Sequence, residues 1–165
     1  MKALIFALAL TTVASAAAAQ TPPAAASLPP APAPSYGPPI GLEAAQGLID
    51  RAIAYGATKG WRLAVAIVEP SGELVAFARM DDTQYGSIHV AQRKAETAAR
   101  YRLPTAVMEE RVQAGRIVSL SNAEALTIGG GVPIVAGERI IGAIGVSGAT
   151  AAQDAEAALA ALAGG

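Results

Sequence analysis

Apolar residues recur at helical spacing through "GLEAAQGLIDRAIAYGATKG". Leu42, Ala45, Leu48, Ile49, Ala52 and Ile53 fall on one stripe, with Glu43, Asp50 and Arg51 on the other side. The pattern predicts an amphipathic helix ending near Gly60. Two short apolar runs follow, "WRLAVAIVE" and "ELVAFARM", split by "PSG", whose Pro70 and Gly72 fit a tight turn, so a hairpin is expected. From Gly86 the period lengthens again. "SIHVAQRKAETAARY" is rich in good helix formers and begins at a plausible Ser87 cap, and Pro104 breaks it. Thr105 can cap a second helix, "AVMEERVQAG", with Glu109 and Glu110 early, where the helix dipole favours anions. "IVSLSNAEALTIGGG" mixes both patterns and reads as irregular structure with short extended segments. "VPIVAGERIIGAIGVSG" reads as two strands around a Gly137-Glu138 turn, and "TAAQDAEAALAALA" as a closing helix.

This order of elements predicts an α+β domain with a single antiparallel sheet and helices packed against it. No strand-helix-strand unit repeats, so a doubly wound parallel sheet is not expected.

The N-terminal stretch departs from this patterning. Met1 and Lys2 precede the apolar "ALIFALAL", and "TTVASAAAAQ" offers small-residue cleavage sites after Ala16 or Ala19. Residues 1–19 therefore read as a signal peptide, too short for a membrane span, and the mature chain is expected to have no transmembrane segment. Residues 20–40 hold most of the prolines and almost no charge, which predicts a disordered Pro/Ala-rich linker. The folded domain is then 41–165, in a periplasmic or secreted protein.

Composition narrows the chemistry. Cysteine is absent, which removes disulfides, thiolate metal sites and cysteine nucleophiles. A formal net charge of −1 argues against a nucleic-acid partner, and a single histidine, His89, excludes a multi-histidine zinc site.

Gly142, Gly145 and Gly148 lie three apart in "GAIGVSG", which differs from a dinucleotide-binding fingerprint in spacing and in its place near the chain's end. In a strand such glycines admit either another backbone or a flat ligand. Ser147 and Gly148 also offer N–H groups to an anion. The triplet Gly129-Gly130-Gly131 poses the same choice between close approach and a mobile loop.

Several motifs converge on one family: "GELVAFARMD", "KAETA", "LPT", "GGVPI", and "IGAIGVSGA" followed by an Asp. Over about residues 41–163 the chain resembles the GlcG/HbpS family, which includes the C-terminal domain of PduO proteins. The resemblance implies a profilin-like α+β domain with a five-stranded antiparallel sheet that assembles into a homo-oligomer. It also implies haem as a cofactor, since characterised relatives bind haem and some exported ones are linked to its degradation and to redox sensing. The chain differs from the usual pattern in Val68-Glu69, where relatives often have Val-Asp, and in His89.

Haem requires an apolar slot, an axial ligand, and cations or hydroxyls for its propionates. His89 is the one imidazole, on the polar stripe with Arg93. Lys94 and Thr97 share a helical face beside small alanines, so Lys94 can meet a carboxylate and Thr97 offers a weak oxygen ligand. His89 or Thr97 is the candidate iron ligand, and Lys94, Gly130, Gly131, Gly145 and Ser147 are candidate wall residues. Lys94 can instead pair with Asp81 or Glu69, and Thr97 with its own helix backbone. Met80 is a further soft ligand in principle, or simply core.

Two functional classes follow. One is an exported haem-binding protein that stores, carries or degrades haem. The other is an enzyme on a small carboxylate-bearing or oxygenated molecule, with Lys94, Arg79 and Asp81 performing proton chemistry. In a third reading, a structural oligomer, the glycines serve subunit packing alone.

Overall fold

The computed structural model describes residues 33–164. The expected signal peptide and residues 20–32 of the expected linker lie outside the described residues.

Strand β1 (Ser35–Tyr36) leads into helix α1 (Leu42–Thr58), then β2 (Ala64–Val68), β3 (Leu74–Arg79) and α2 (Gly86–Tyr101). Helix α3 (Thr105–Gln113), a 3-10 turn (Ile117–Ser121), β4 (Gly131–Ala136), β5 (Arg139–Ser147) and α4 (Ala151–Ala163) complete the unit. The fold is α+β with one five-stranded sheet. The sheet is mixed rather than purely antiparallel, because β1 runs parallel to β5 through Ser35 and Tyr36, opposite Arg139 and Ile140. Those two residues belong to the stretch expected to be linker. Tyr36 holds them there: its hydroxyl lies 3.1 Å and 2.9 Å from the carbonyl oxygens of Ala99 and Arg100, and Arg102 stacks on its ring.

β2 is buried along its whole length, so its period of two serves both faces. Leu63, Val65 and Ile67 join Ile144 and Val146 in a core covered by Leu48, Ile49 and Ala52 of α1 and Ala157, Ala158 and Ala161 of α4. Ala64, Ala66 and Val68 face the alanines Ala91, Ala95, Ala98 and Ala99 of α2. The first core carries bulk; the second allows close approach.

Two local expectations are corrected. Ser87 does not cap α2; it lies inside the helix, buried, and its hydroxyl shares a 3.2 Å hydrogen bond with that of Ser147. Thr105 does not cap α3, since Pro104 holds the cap position and the Thr105 hydroxyl instead accepts the Gly131 N–H at 2.9 Å. Thr150 is the one residue forming a capping box among the described helices, with Gln153.

Candidate functional site

The glycines answer one question before a site can be placed. Gly131 and Gly145 lie opposite each other in the β4–β5 ladder, and Gly145 lies opposite Ala66 of β2. A methyl group on Gly145 would collide with the carbonyl oxygen of Ala91 and the amide nitrogen of Ala95; one on Gly131 would collide with the carbonyl of Lys94. The row Gly131, Gly145, Ala66 is thus the floor on which the α2 backbone rests. No slot for a flat ligand remains there, because the helix fills it.

Lys94 drops from α2 through this floor and is buried. Its ammonium donates to Asp154 Oδ2 at 2.8 Å and to the Val146 carbonyl at 3.0 Å. Asp154, in the first turn of α4, accepts the Ala149 N–H at 3.0 Å through its other oxygen. Burial pushes the Asp154 carboxyl above the ordinary carboxylate range, against the lowering effect of Lys94 and of the Ala149 and Gly148 amides. Gly130 makes room for the pair: its φ is +124°, and a Cβ there would lie 2.8 Å from the Lys94 nitrogen. Lys94, Gly130 and Gly131 are therefore brought together with Asp154, as an internal polar joint among α2, β4, β5 and α4, while Gly145 packs beside Gly131 against the α2 backbone and Ser147 is bonded to Ser87. Asp154, the Asp of the terminal motif, is the partner that sequence reasoning did not assign to Lys94.

The other candidates lie apart from this joint. His89 is exposed on α2. Thr97 is buried and fully engaged, donating to the Arg93 carbonyl at 2.7 Å and accepting the Leu126 N–H at 2.9 Å. Arg79 donates to the Thr83 carbonyl at 2.7 Å and lies over the Tyr85 ring, while Asp81 is exposed. No hydrogen bond or ion pair among the described residues links Lys94 to Arg79 or Asp81. Met80 packs on the core, with its sulfur accepting the Leu63 N–H at 3.3 Å.

An open cleft of about 350 Å³ lies between the C-terminal end of α2, helix α3 and the 3-10 turn. The volume falls within the range of about 300–1,000 Å³ of small-molecule sites. Arg102, with φ +57°, turns the chain out of α2 so that Tyr101 and Leu103 flank the opening. Met108 and Arg111 lie three apart on α3 and line one side. Gly115, with φ +98°, reverses the chain after α3 and brings Arg116 and Val118 to the other. The return segment is tied down by Asn122 donating to the Tyr101 hydroxyl at 2.6 Å and by Arg93 donating to the Ala123 carbonyl at 2.6 Å. The cleft thus joins apolar walls, a phenol, a thioether and two guanidinium groups. Val118 is 68% exposed and its neighbours Ile117 and Leu120 are 70% and 62% exposed, so the apolar surface continues outside the cleft.

Fold and motifs agree with known proteins. The family described as "Haem degrading protein HbpS-like" matches residues 40–163, well over half of the chain. The chain belongs to the HbpS-like family. Protein GlcG of Escherichia coli (strain K12) is 43% identical over 87 residues, which are 53% of this chain and 65% of GlcG, just under two thirds of that relative. The crystal structure of a double mutant of Streptomyces reticuli HbpS superposes with a TM-score of 0.71 at 28% identity, covering 86% of this chain and 97% of that one. That of a PduOC:heme complex superposes with a TM-score of 0.69 at 26% identity, covering 76% and 94%.

Proposed function

We propose that this HbpS-like chain is an exported haem-binding protein that stores, carries or degrades haem, works as an assembly of identical copies, and holds haem at the Tyr101–Arg116 cleft. The observation that carries the reading is the donor set of the cleft. Tyrosine oxygen and methionine sulfur both serve as haem-iron ligands, and Arg111 and Arg116 match the charge and planar geometry of propionate carboxylates. Leu103, Val118 and Ala125 supply apolar contact for a ring edge. Family membership and the crystal structure of the PduOC:heme complex support the ligand class. The residue pattern of 1–19 supports export to a periplasm or the medium, and the exposed apolar residues beside the cleft support assembly.

Bound haem supplies an iron centre with redox and oxygen chemistry. The chain's own part would be to hold the propionates through Arg111 and Arg116, to supply aliphatic contact from Leu103, Val118 and Ala125, and to keep Tyr101 in place through Asn122. His89 stands outside the cleft and is assigned no role at the iron.

Hemin titration of the full chain, followed at the Soret band, tests this. The expected result is saturation at one haem per chain, with affinity reduced about tenfold or more in Arg111→Ala/Arg116→Ala, because a charge-assisted hydrogen bond is worth about 1.5–3 kcal/mol. A shift that never saturates, or one identical in the double variant, would overturn it.

A further inference from the structure

Helix α1 carries a glycine that no neighbouring backbone requires. Gly131, Gly142, Gly145 and Gly148 each leave room for another stretch of main chain, whereas a Cβ on Gly47 would meet only Arg51 Nη1, at 3.7 Å, an ordinary contact. Glycine inside a helix lowers its stability, and no close backbone packing offsets that here. Its effect is to deepen a groove.

The groove, of about 820 Å³, runs along α1 beside β4 and β5 and is large enough for a small molecule. Its floor is core, since Ile40, Leu48 and Ile134 are buried. The sheet side is shaped by a bulge. Ile134 lies opposite Gly142 and Val135 opposite Ile140, which leaves Ile141 unpaired and packed on the α1 side of the sheet. On the helix side, Ala44 and Gly47 lie three apart and present almost no bulk.

The two ends differ in charge. At one, Arg51 is pinned by Nε donating to the Ala161 carbonyl at 2.7 Å, while Nη1 lies beside Gly47. At the other is Glu43, eight positions earlier, or about 12 Å along the helix. No ion pair among the described residues engages either side chain. A guanidinium held at one nitrogen still offers paired donors to a carboxylate, and Glu43 repels a second anion at the far end.

We infer that this groove binds an aliphatic monocarboxylate of about eight carbons, a length matched to the helix span, with its carboxylate on Arg51 and its chain over Ile134 and Ile141. The site shares no residue with the Tyr101–Arg116 cleft and does not depend on haem.

Calorimetric titration of the full chain with octanoate, with octanamide as its neutral isostere and with suberate as the eight-carbon dicarboxylate tests it. Octanoate should saturate at one per chain, octanamide should bind at least about tenfold more weakly, and suberate about threefold or more. Arg51→Met should weaken octanoate at least about tenfold. Gly47→Leu fills the groove, leaves Arg51 in place and raises helix propensity, so its expected loss of saturable binding is not a folding defect. Octanoate that never saturates, octanamide or suberate binding as tightly, or Gly47→Leu matching the parent would overturn the inference. So would binding that emerges only when the parent is diluted into single copies, because a second copy then covers the groove.

Discussion

Replacing Lys94 by methionine isolates the internal joint. Lys94 and Asp154 are buried, with side chains 2% and 3% exposed and 2.8 Å between charged atoms. Methionine keeps much of the stem and removes the ammonium. At neutral pH the carboxylate then keeps only the backbone amides, and leaving one member of a buried pair uncompensated costs about 3–5 kcal/mol. The pH dependence carries the diagnosis. Burial already pushes the Asp154 carboxyl upward, with Lys94 opposing it, so removing Lys94 pushes it further. A carboxyl whose folded value lies above its unfolded one binds more protons in the folded state, so stability rises as pH falls. The deficit of Lys94→Met should therefore be largest at pH 7, and should shrink as pH falls through the folded value toward the ordinary carboxylate range. Urea denaturation of parent and variant across this span measures it. A deficit below about 1 kcal/mol, or one that does not change with pH, would refute the reasoning. Lys94→Met/Asp154→Leu removes both charges and should recover much of the loss.

Further outcomes follow from contacts already described. Gly145→Ala drives a methyl group into the α2 backbone and should cost at least about 1–3 kcal/mol in chemical denaturation; a neutral effect would mean that α2 does not rest on this row. Thr105→Val removes the acceptor of the Gly131 N–H and should cost about 1–3 kcal/mol, read as a lower urea midpoint and faster exchange of that amide. Tyr36→Phe deletes the hydroxyl tie to the end of α2 and should release β1, costing about 0.5–1.5 kcal/mol, with loss of amide protection at Gly37.

Much of the fold was legible because its period is unambiguous. The α1 stripe, the hairpin at Pro70-Gly72 and the strands around Gly137-Glu138 occur where the apolar pattern places them. The parallel β1 was hidden because two residues in a proline-rich segment carry no period; they are fixed by contacts far along the chain, the pairing with β5 and the Tyr36 hydroxyl reaching α2 more than sixty positions later. The glycines were readable as close approach, but not what approaches. The answer depends on the β4–β5 register, which aligns Gly131 with Gly145 beneath α2. Lys94 pairs with Asp154, sixty positions away across the sheet, rather than with Asp81 or Glu69, because the α4 entry turn comes closer than the β3 end. The cleft was missed for a related reason. Tyr101, Met108, Arg111 and Arg116 share no motif, and they converge only after the Arg102 and Gly115 turns fold α3 back. The two arginines flanking Gly115 were the available signal.

The most direct test of the cleft is a map of where ferric haem sits. In a two-dimensional amide spectrum of the full chain, the paramagnetic iron broadens signals of nearby residues. Saturable broadening should centre on Tyr101, Met108 and Arg111 through Val118, with His89 and the Gly131–Gly145 floor spared. Broadening centred on His89, or spread without a centre, would contradict it.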